Sequence, residues 1–109
     1  MVALNADIVG YSRLMADDFE ATTAAVEETR RIVDERIDQN RGQLVNFVGD
    51  NFMAVFAEAK DAVAAAIAIT TQLESRNADI AESRQVRFRM GIDQGPRPGW
   101  SRRGFLPST

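Results

Sequence analysis

Residues 43–56 read QLVNFVGDNFMAVF, two runs of strand-forming Leu, Val, Phe and Met on either side of a Gly49-Asp50-Asn51 turn. Turn residues of this kind between β-prone runs specify a hairpin. On the N-terminal side, residues 17–40 follow a helical pattern. Asp17, Asp18 and Glu20 crowd its start, where the helix dipole favours negative charge. Val26, Val33 and Ile37, with Thr22, Thr29 and Ile32, form one apolar stripe at spacings of three, four and seven. Gly42 is expected to end that helix as a C-terminal glycine. Before it, VALNADI (residues 2–8) reads as a buried strand ending near Asp7 or Ile8, with GYS (residues 10–12) as a turn.

On the C-terminal side, residues 57–77 return to helical spacing, with Val63, Ala66, Ile67, Thr70 and Leu73 expected on the buried side. Polar ADIAESRQ (residues 78–85) makes a loop. VRFRMGID (residues 86–93) alternates, with Val86, Phe88, Met90 and Ile92 on one face and Arg87 and Arg89 on the other. That is a half-exposed strand. The order strand, helix, strand, strand, helix, strand predicts an α+β fold. It is the ferredoxin-like split βαβ (βαββαβ) sheet with both helices on one face.

Composition limits the chemistry. At 109 residues the chain is long enough for one core. Its 45% apolar and 27% charged residues are those of a globular protein. The net charge of −3 gives no reason to expect a nucleic-acid partner. The longest apolar run, AVAAAIAI at residues 62–69, is far shorter than the ~20 residues a membrane span needs, and a cytoplasmic location is expected. Without cysteine or histidine there is no thiolate nucleophile, no imidazole base and no Cys- or His-based metal site. Chemistry would fall to carboxylates, hydroxyls, Lys, Arg or a bound metal. Carboxylate ligands favour Mg²⁺ or Mn²⁺.

From residue 96 the pattern changes. PRPGWSRRGFLPST holds all three prolines and three arginines (Arg97, Arg102, Arg103) and no acid, which leaves −6 for residues 1–96. A basic tail can contact nucleic acid or membrane. The reading favoured by its lack of periodicity is a disordered or non-homologous end, 96–109, after one domain at 1–95.

Two acids stand out. Asp7 ends an apolar strand, which can mean only that the strand stops there, or that the carboxylate is held to grip a cation. Asp50 in a hairpin turn is an ordinary turn residue when taken alone. In the predicted sheet the end of the first strand lies beside the turn between the second and third, which brings Asp7 and Asp50 within reach of each other. Paired carboxylates repel unless a positive charge lies between them, and a two-ion Mg²⁺ site answers this while leaving positions for triphosphate oxygens. Residues Ile8, Val9, Gly10 and Tyr11 add backbone N–H groups at a turn that can bind phosphate, with small Gly10 admitting it closely.

ADIVGYSRLM, VNFVGDNFMAVF, KDAVAAAIAI and VRFRMGID, in this order and spacing, resemble the class III adenylate/guanylate cyclase catalytic domain of the bacterial type over roughly residues 4–95. The resemblance implies that Asp7 and Asp50 are paired metal ligands, that the Ile8 carbonyl reaches one ion, and that Ile8–Ser12 line the triphosphate. Asn46 and Gly49 would join the nucleotide-binding set. It implies a phosphorus–oxygen lyase reaction in cyclic-nucleotide signalling. The ribose 3′-hydroxyl of ATP or GTP attacks the α-phosphate, and pyrophosphate leaves a 3′,5′-cyclic nucleotide. Such sites form between two subunits, so a homodimer or a heterodimer with another cyclase domain is the implied partner.

Two departures qualify it. Where the family usually has a lysine that recognises adenine, this chain has Asn46, which could hydrogen-bond a base edge or simply fill the strand. The family's later Asn and Arg, which stabilise the transition state, find no match after GIDQG. The expectation is a truncated domain, through a lost reading frame or shortened gene, with little activity alone. The alternative is a non-catalytic nucleotide-binding or dimerisation module that pairs with a complete cyclase subunit. A ferredoxin-like RNA binder fits poorly, for want of exposed sheet aromatics. The Gly-Gly-acid-acid turn of diguanylate cyclases is not found in VGDNF.

Overall fold

The computed structural model describes residues 1–95, and the tail 96–109 with its three arginines lies outside the described residues. Strand β1 (Val2–Ile8) is followed by helices α1 (Tyr11–Asp17) and α2 (Phe19–Gln39), then the hairpin β2 (Gln43–Val48) and β3 (Asn51–Phe56). Helix α3 (Ala59–Asn77), a 3₁₀ turn at Glu82–Arg84 and strand β4 (Phe88–Gln94) complete the described chain. The sheet order is β2-β3-β1-β4 with every neighbouring pair antiparallel, the expected split βαβ arrangement.

Alternation along the strands sorts the two faces of the sheet. Val2, Leu4, Ala6 and Ile8 of β1 and Phe52, Ala54 and Phe56 of β3 are buried with Val26, Val33 and Ile37 of α2 and Ile69 and Leu73 of α3. The whole stripe read from α2, including Thr22 and Thr29, is buried. Both threonines satisfy their hydroxyls locally, Thr29 on the Ala25 carbonyl and Thr22 on the Leu14 carbonyl, each at 2.8 Å. The other face, carrying Asn5, Asp7, Asn46, Met53 and Arg89, is covered by none of the described helices.

Three local expectations are corrected. The GYS segment is not simply a turn, because Tyr11 and Ser12 open α1. Gly10, at φ 67, makes the left-handed bend before them, and Leu14 anchors the short helix in the core. Nor does Gly42 supply the left-handed residue after α2. Arg41 does, at φ 65, with the Arg41 N–H donating to the Asp38 carbonyl and the Gly42 N–H to the Ile37 carbonyl. Gly42 is small for another reason: a methyl group built there would lie 2.3 Å from the Phe56 ring.

The third correction is the face of α3. Ala62, Ala65, Ile69 and Leu73 point inward, whereas Val63 and Ile67 are 44% and 60% exposed and Thr70 is exposed. In an alanine-rich helix two adjacent faces both look apolar. The sheet takes the one with alanines in its middle because they let the helix approach closely. Asp61, also on the inner side, is reached by Arg41 at 3.3 Å. The predicted polar loop before β4 is tied down: the buried Asn77 amide donates to the Val86 carbonyl at 3.0 Å, and the Gln85 amide to the Ile80 carbonyl at 2.9 Å.

Candidate functional site

The end of the sheet where Asp7 and Asp50 lie is fixed by rings underneath and by main-chain bonds above. Phe52 stacks on Phe47 at 5.6 Å between centroids and meets Phe88 edge-on at 5.2 Å. Arg30 lies 4.4 Å over the Phe47 ring and donates to the Phe47 carbonyl at 2.8 Å, which locks β2 to α2. Above this cluster the hairpin turn is pinned to the first strand. The Ile8 N–H donates to the Asp50 carbonyl at 2.8 Å, one residue beyond the pairing of Asp7 with Asn51. The two acids are thereby neighbours in space although 43 positions separate them in the chain.

Both are half-buried, and both line an open concavity of about 560 Å³ on the helix-free face, together with Asn5, Asn46, Met53, Arg89 and Gly91. Asn46 is on this face because its register partner is Met53, the residue that pairs with Asn5 on the other side. Arg89, opposite Asp7 in the β1–β4 register, holds the Asp7 carboxylate with both ends of its guanidinium, Nε to Oδ1 at 3.2 Å and Nη2 to Oδ2 at 3.3 Å. Reading β4 by its alternation places Arg89 on the exposed face without saying what it meets. Only the strand register supplies that partner, so its place in the site is not legible from sequence.

The turn after β1 sits apart from the concavity. Ile8 turns its side chain into the core, Tyr11 packs against the core edge, and Val9 and Ser12 are exposed. The Ile8 and Val9 amides are committed, the latter to the Arg87 carbonyl at 2.8 Å. The amides opening α1 have no carbonyl within the helix to reach. Arg13 folds back so that its guanidinium would meet a Cβ on Gly10 at 3.1 Å. Gly49, at φ 61, shapes the hairpin turn and has no atom near the space a side chain would take.

As a donor set for a cation, two carboxylates and nearby main-chain carbonyls are hard oxygens, suited to Mg²⁺ or Mn²⁺. Among the described residues no group of three or more acidic, His or Cys side chains gathers to hold an ion. The rest of a coordination shell would have to come from water or phosphate, which is the usual habit of Mg²⁺. No described helix is long and apolar enough to cross a membrane.

Residues 2–98 match the model of the adenylate and guanylate cyclase catalytic domain. A Rhizobium meliloti (strain 1021) protein named "Putative adenylate cyclase 3" is 31% identical over 93 residues, which are 84% of this chain and 16% of that protein. The crystal structure of an adenylate/guanylate cyclase/hydrolase from Silicibacter pomeroyi is 33% identical with a TM-score of 0.78, over 86% of this chain and 55% of that one. The guanylate cyclase domain of RhGC from Catenaria anguillulae, solved in complex with GTP, shares the fold at 15% identity and a TM-score of 0.68, over 84% of this chain and 53% of that one. This chain thus spans about half the length of the solved domains and a sixth of the curated relative it matches.

Proposed function

Because this chain belongs to the adenylate and guanylate cyclase catalytic domain family, we propose that it binds a nucleoside triphosphate, ATP or GTP, through Mg²⁺ or Mn²⁺ held by Asp7, Asp50 and the Ile8 carbonyl. The observation that carries this reading is the Ile8 N–H bond to the Asp50 carbonyl, which fixes the two acids at one rim. Bound divalent ions would supply Lewis acidity toward a ribose 3′-hydroxyl and offset the charge of the phosphates. The chain's own residues bind and orient. Asp7 and Asp50 would provide anionic oxygens, and the amides of Gly10, Tyr11 and Ser12, at the turn that opens α1, would donate to phosphate oxygens. Val9, beside them, shapes that turn. Arg89 keeps Asp7 paired in the absence of a cation and is placed to pass to a phosphate oxygen when a cation takes its place. Asn46 offers an amide to a base edge, and Gly49 keeps the turn free of side chain beside Asp50.

The reaction of the family is the attack of the 3′-oxygen on the α-phosphorus with departure of pyrophosphate. In this reading the 109-residue chain by itself binds nucleotide but turns it over very slowly. The Asn and Arg that the resemblance assigns to the transition state have no counterpart among the described residues. Loss of such donors typically costs ~10²–10³ in rate each. Pairing with a complete cyclase subunit would supply them. That second reading makes the chain a nucleotide-binding partner module.

Titration calorimetry with Mn²⁺–ATP and Mn²⁺–GTP tests the binding. The parent chain should bind at least one of them, and Asp7→Ala and Asp50→Ala should each lose it while keeping the far-ultraviolet circular dichroism of the parent. Binding that survives both substitutions rejects the site. A coupled pyrophosphate and cyclic-nucleotide assay tests the rest, since ready turnover by the chain alone would contradict the partner-module reading.

A further inference from the structure

Asp7 already holds a cation of the protein's own. Arg89 stands directly opposite it in the β1–β4 register and engages both carboxylate oxygens, Nε to Oδ1 at 3.2 Å and Nη2 to Oδ2 at 3.3 Å. A divalent ion has to displace this fork to use the same two oxygens. Among the described residues lining the concavity, Arg89 is also the one basic side chain beside Asp7 and Asp50. Its positive charge offsets part of the attraction that the two acids exert on a divalent ion.

The strand confines the guanidinium to the site. Phe88 and Met90, on either side of Arg89 in sequence, pack against the core, so alternation keeps Arg89 on the site face. Gly91 is the next residue of β4 on that face, and among the described residues no heavy atom lies within 4 Å of a Cβ built there. The side chain therefore has room to let go of Asp7 and swing along β4 while staying inside the concavity. The pair is also weak enough to exchange, because its side chains are 73% and 42% exposed and water screens them.

Granted the reading of Asp7 as a metal ligand, on which this step rests, we propose that Arg89 is an internal counter-ion that makes divalent-ion binding conditional on nucleotide. Without nucleotide the guanidinium holds the Asp7 carboxylate against the ion, and Mg²⁺ or Mn²⁺ binds weakly. The anionic oxygens of a nucleotide accept the guanidinium as the ion takes Asp7, so each ligand favours the other. Arg89 acts on the ion through Asp7, as a positioning residue.

The test reads Mn²⁺ alone, by the electron paramagnetic resonance of the free ion, beside calorimetry with Mn²⁺–ATP and Mn²⁺–GTP. Arg89→Gln should bind Mn²⁺ alone about two- to fivefold more tightly than the parent chain, the range that loss of an exposed pair allows. The same variant should bind Mn²⁺–nucleotide more weakly. The opposite signs identify a counter-ion, since a purely structural residue would weaken both and a simple phosphate ligand would leave Mn²⁺ alone unchanged. Arg87, whose guanidinium bonds Gln85, carries the same charge two residues back along β4. Arg87→Gln should leave the Mn²⁺ affinity as it was, and an equal gain there overturns the inference in favour of a general field effect. Arg89→Lys keeps a charge opposite Asp7 without the fork. It should fall between the parent and Arg89→Gln, and it is the variant to read if Arg89→Gln loses the circular dichroism of the parent. No gain in Mn²⁺ binding from Arg89→Gln, while Asp7→Ala still abolishes Mn²⁺–nucleotide binding, overturns the counter-ion and leaves the metal reading standing. Mn²⁺ binding that survives Asp7→Ala undiminished rejects the metal reading, and the counter-ion with it.

Discussion

A methyl group on Gly42 would sit 2.3 Å from Cε2 of Phe56 and 2.7 Å from Cζ, and the ring has no free direction in which to retreat because Phe56 is buried. Gly42→Ala should therefore lower stability by about 1–3 kcal/mol in a urea titration, the usual cost of overfilling a packed site. Asp7 is the opposite kind of residue. Its side chain and that of Arg89 are both substantially exposed, so water and salt screen their pair. Asp7→Asn should change the urea midpoint by less than the equivalent of about 1 kcal/mol while the affinity for Mn²⁺–nucleotide falls sharply. A large loss of stability in that variant would assign Asp7 to the fold and not to a ligand.

At the scale of elements, α1 and α2 meet at one carbonyl. Leu14 O accepts from the Asp18 N–H at 3.1 Å, the Thr22 hydroxyl at 2.8 Å and Arg84 Nη1 at 3.2 Å, and Arg84 Nη2 also donates to Thr22 Oγ1 at 2.7 Å. Arg84 arrives from the 3₁₀ turn, 70 residues away from Leu14, and so ties the loop before β4 to the helix that follows β1. Arg84→Ala should cost about 1–3 kcal/mol through these charged hydrogen bonds. It should also speed amide exchange across residues 11–17 ahead of α2, as seen by hydrogen-exchange mass spectrometry. Asp18 caps α2 by accepting from the Ala21 N–H at 3.0 Å. Asp18→Ala should cost about 1 kcal/mol, and Asp18→Asn should restore most of it.

For the molecule as a whole, one helix-covered sheet face carries the core and the opposite face carries the candidate site, so the site and the core share the same strands. Phe52 is the residue where they meet: it is buried, it touches Phe47 and Phe88, and its neighbours in sequence are Asn51 and Met53 on the site face. Phe52→Ala should cost about 3–5 kcal/mol, a large part of the stability of a domain this size. Nucleotide binding should be lost along with the cooperative unfolding transition.

Much of the architecture is legible in the chain. The β-prone runs around Gly49-Asp50-Asn51, the alternation of VRFRMGID and the stripe of α2 are local patterns, each with the period of its element, and they led to the observed strand order and to Asp7 beside Asp50. Periodicity failed where local pattern is ambiguous. In α3 two neighbouring faces are apolar, and the close approach of the sheet chose the alanine face. At the end of α2 the left-handed position fell on Arg41, while Gly42 was kept small by a ring 14 residues away. The tertiary structure alone decided the pairing of Arg89 with Asp7 and the commitment of the Ile8 and Val9 amides. These depend on strand register and sheet order, which are set by contacts between segments distant in the chain.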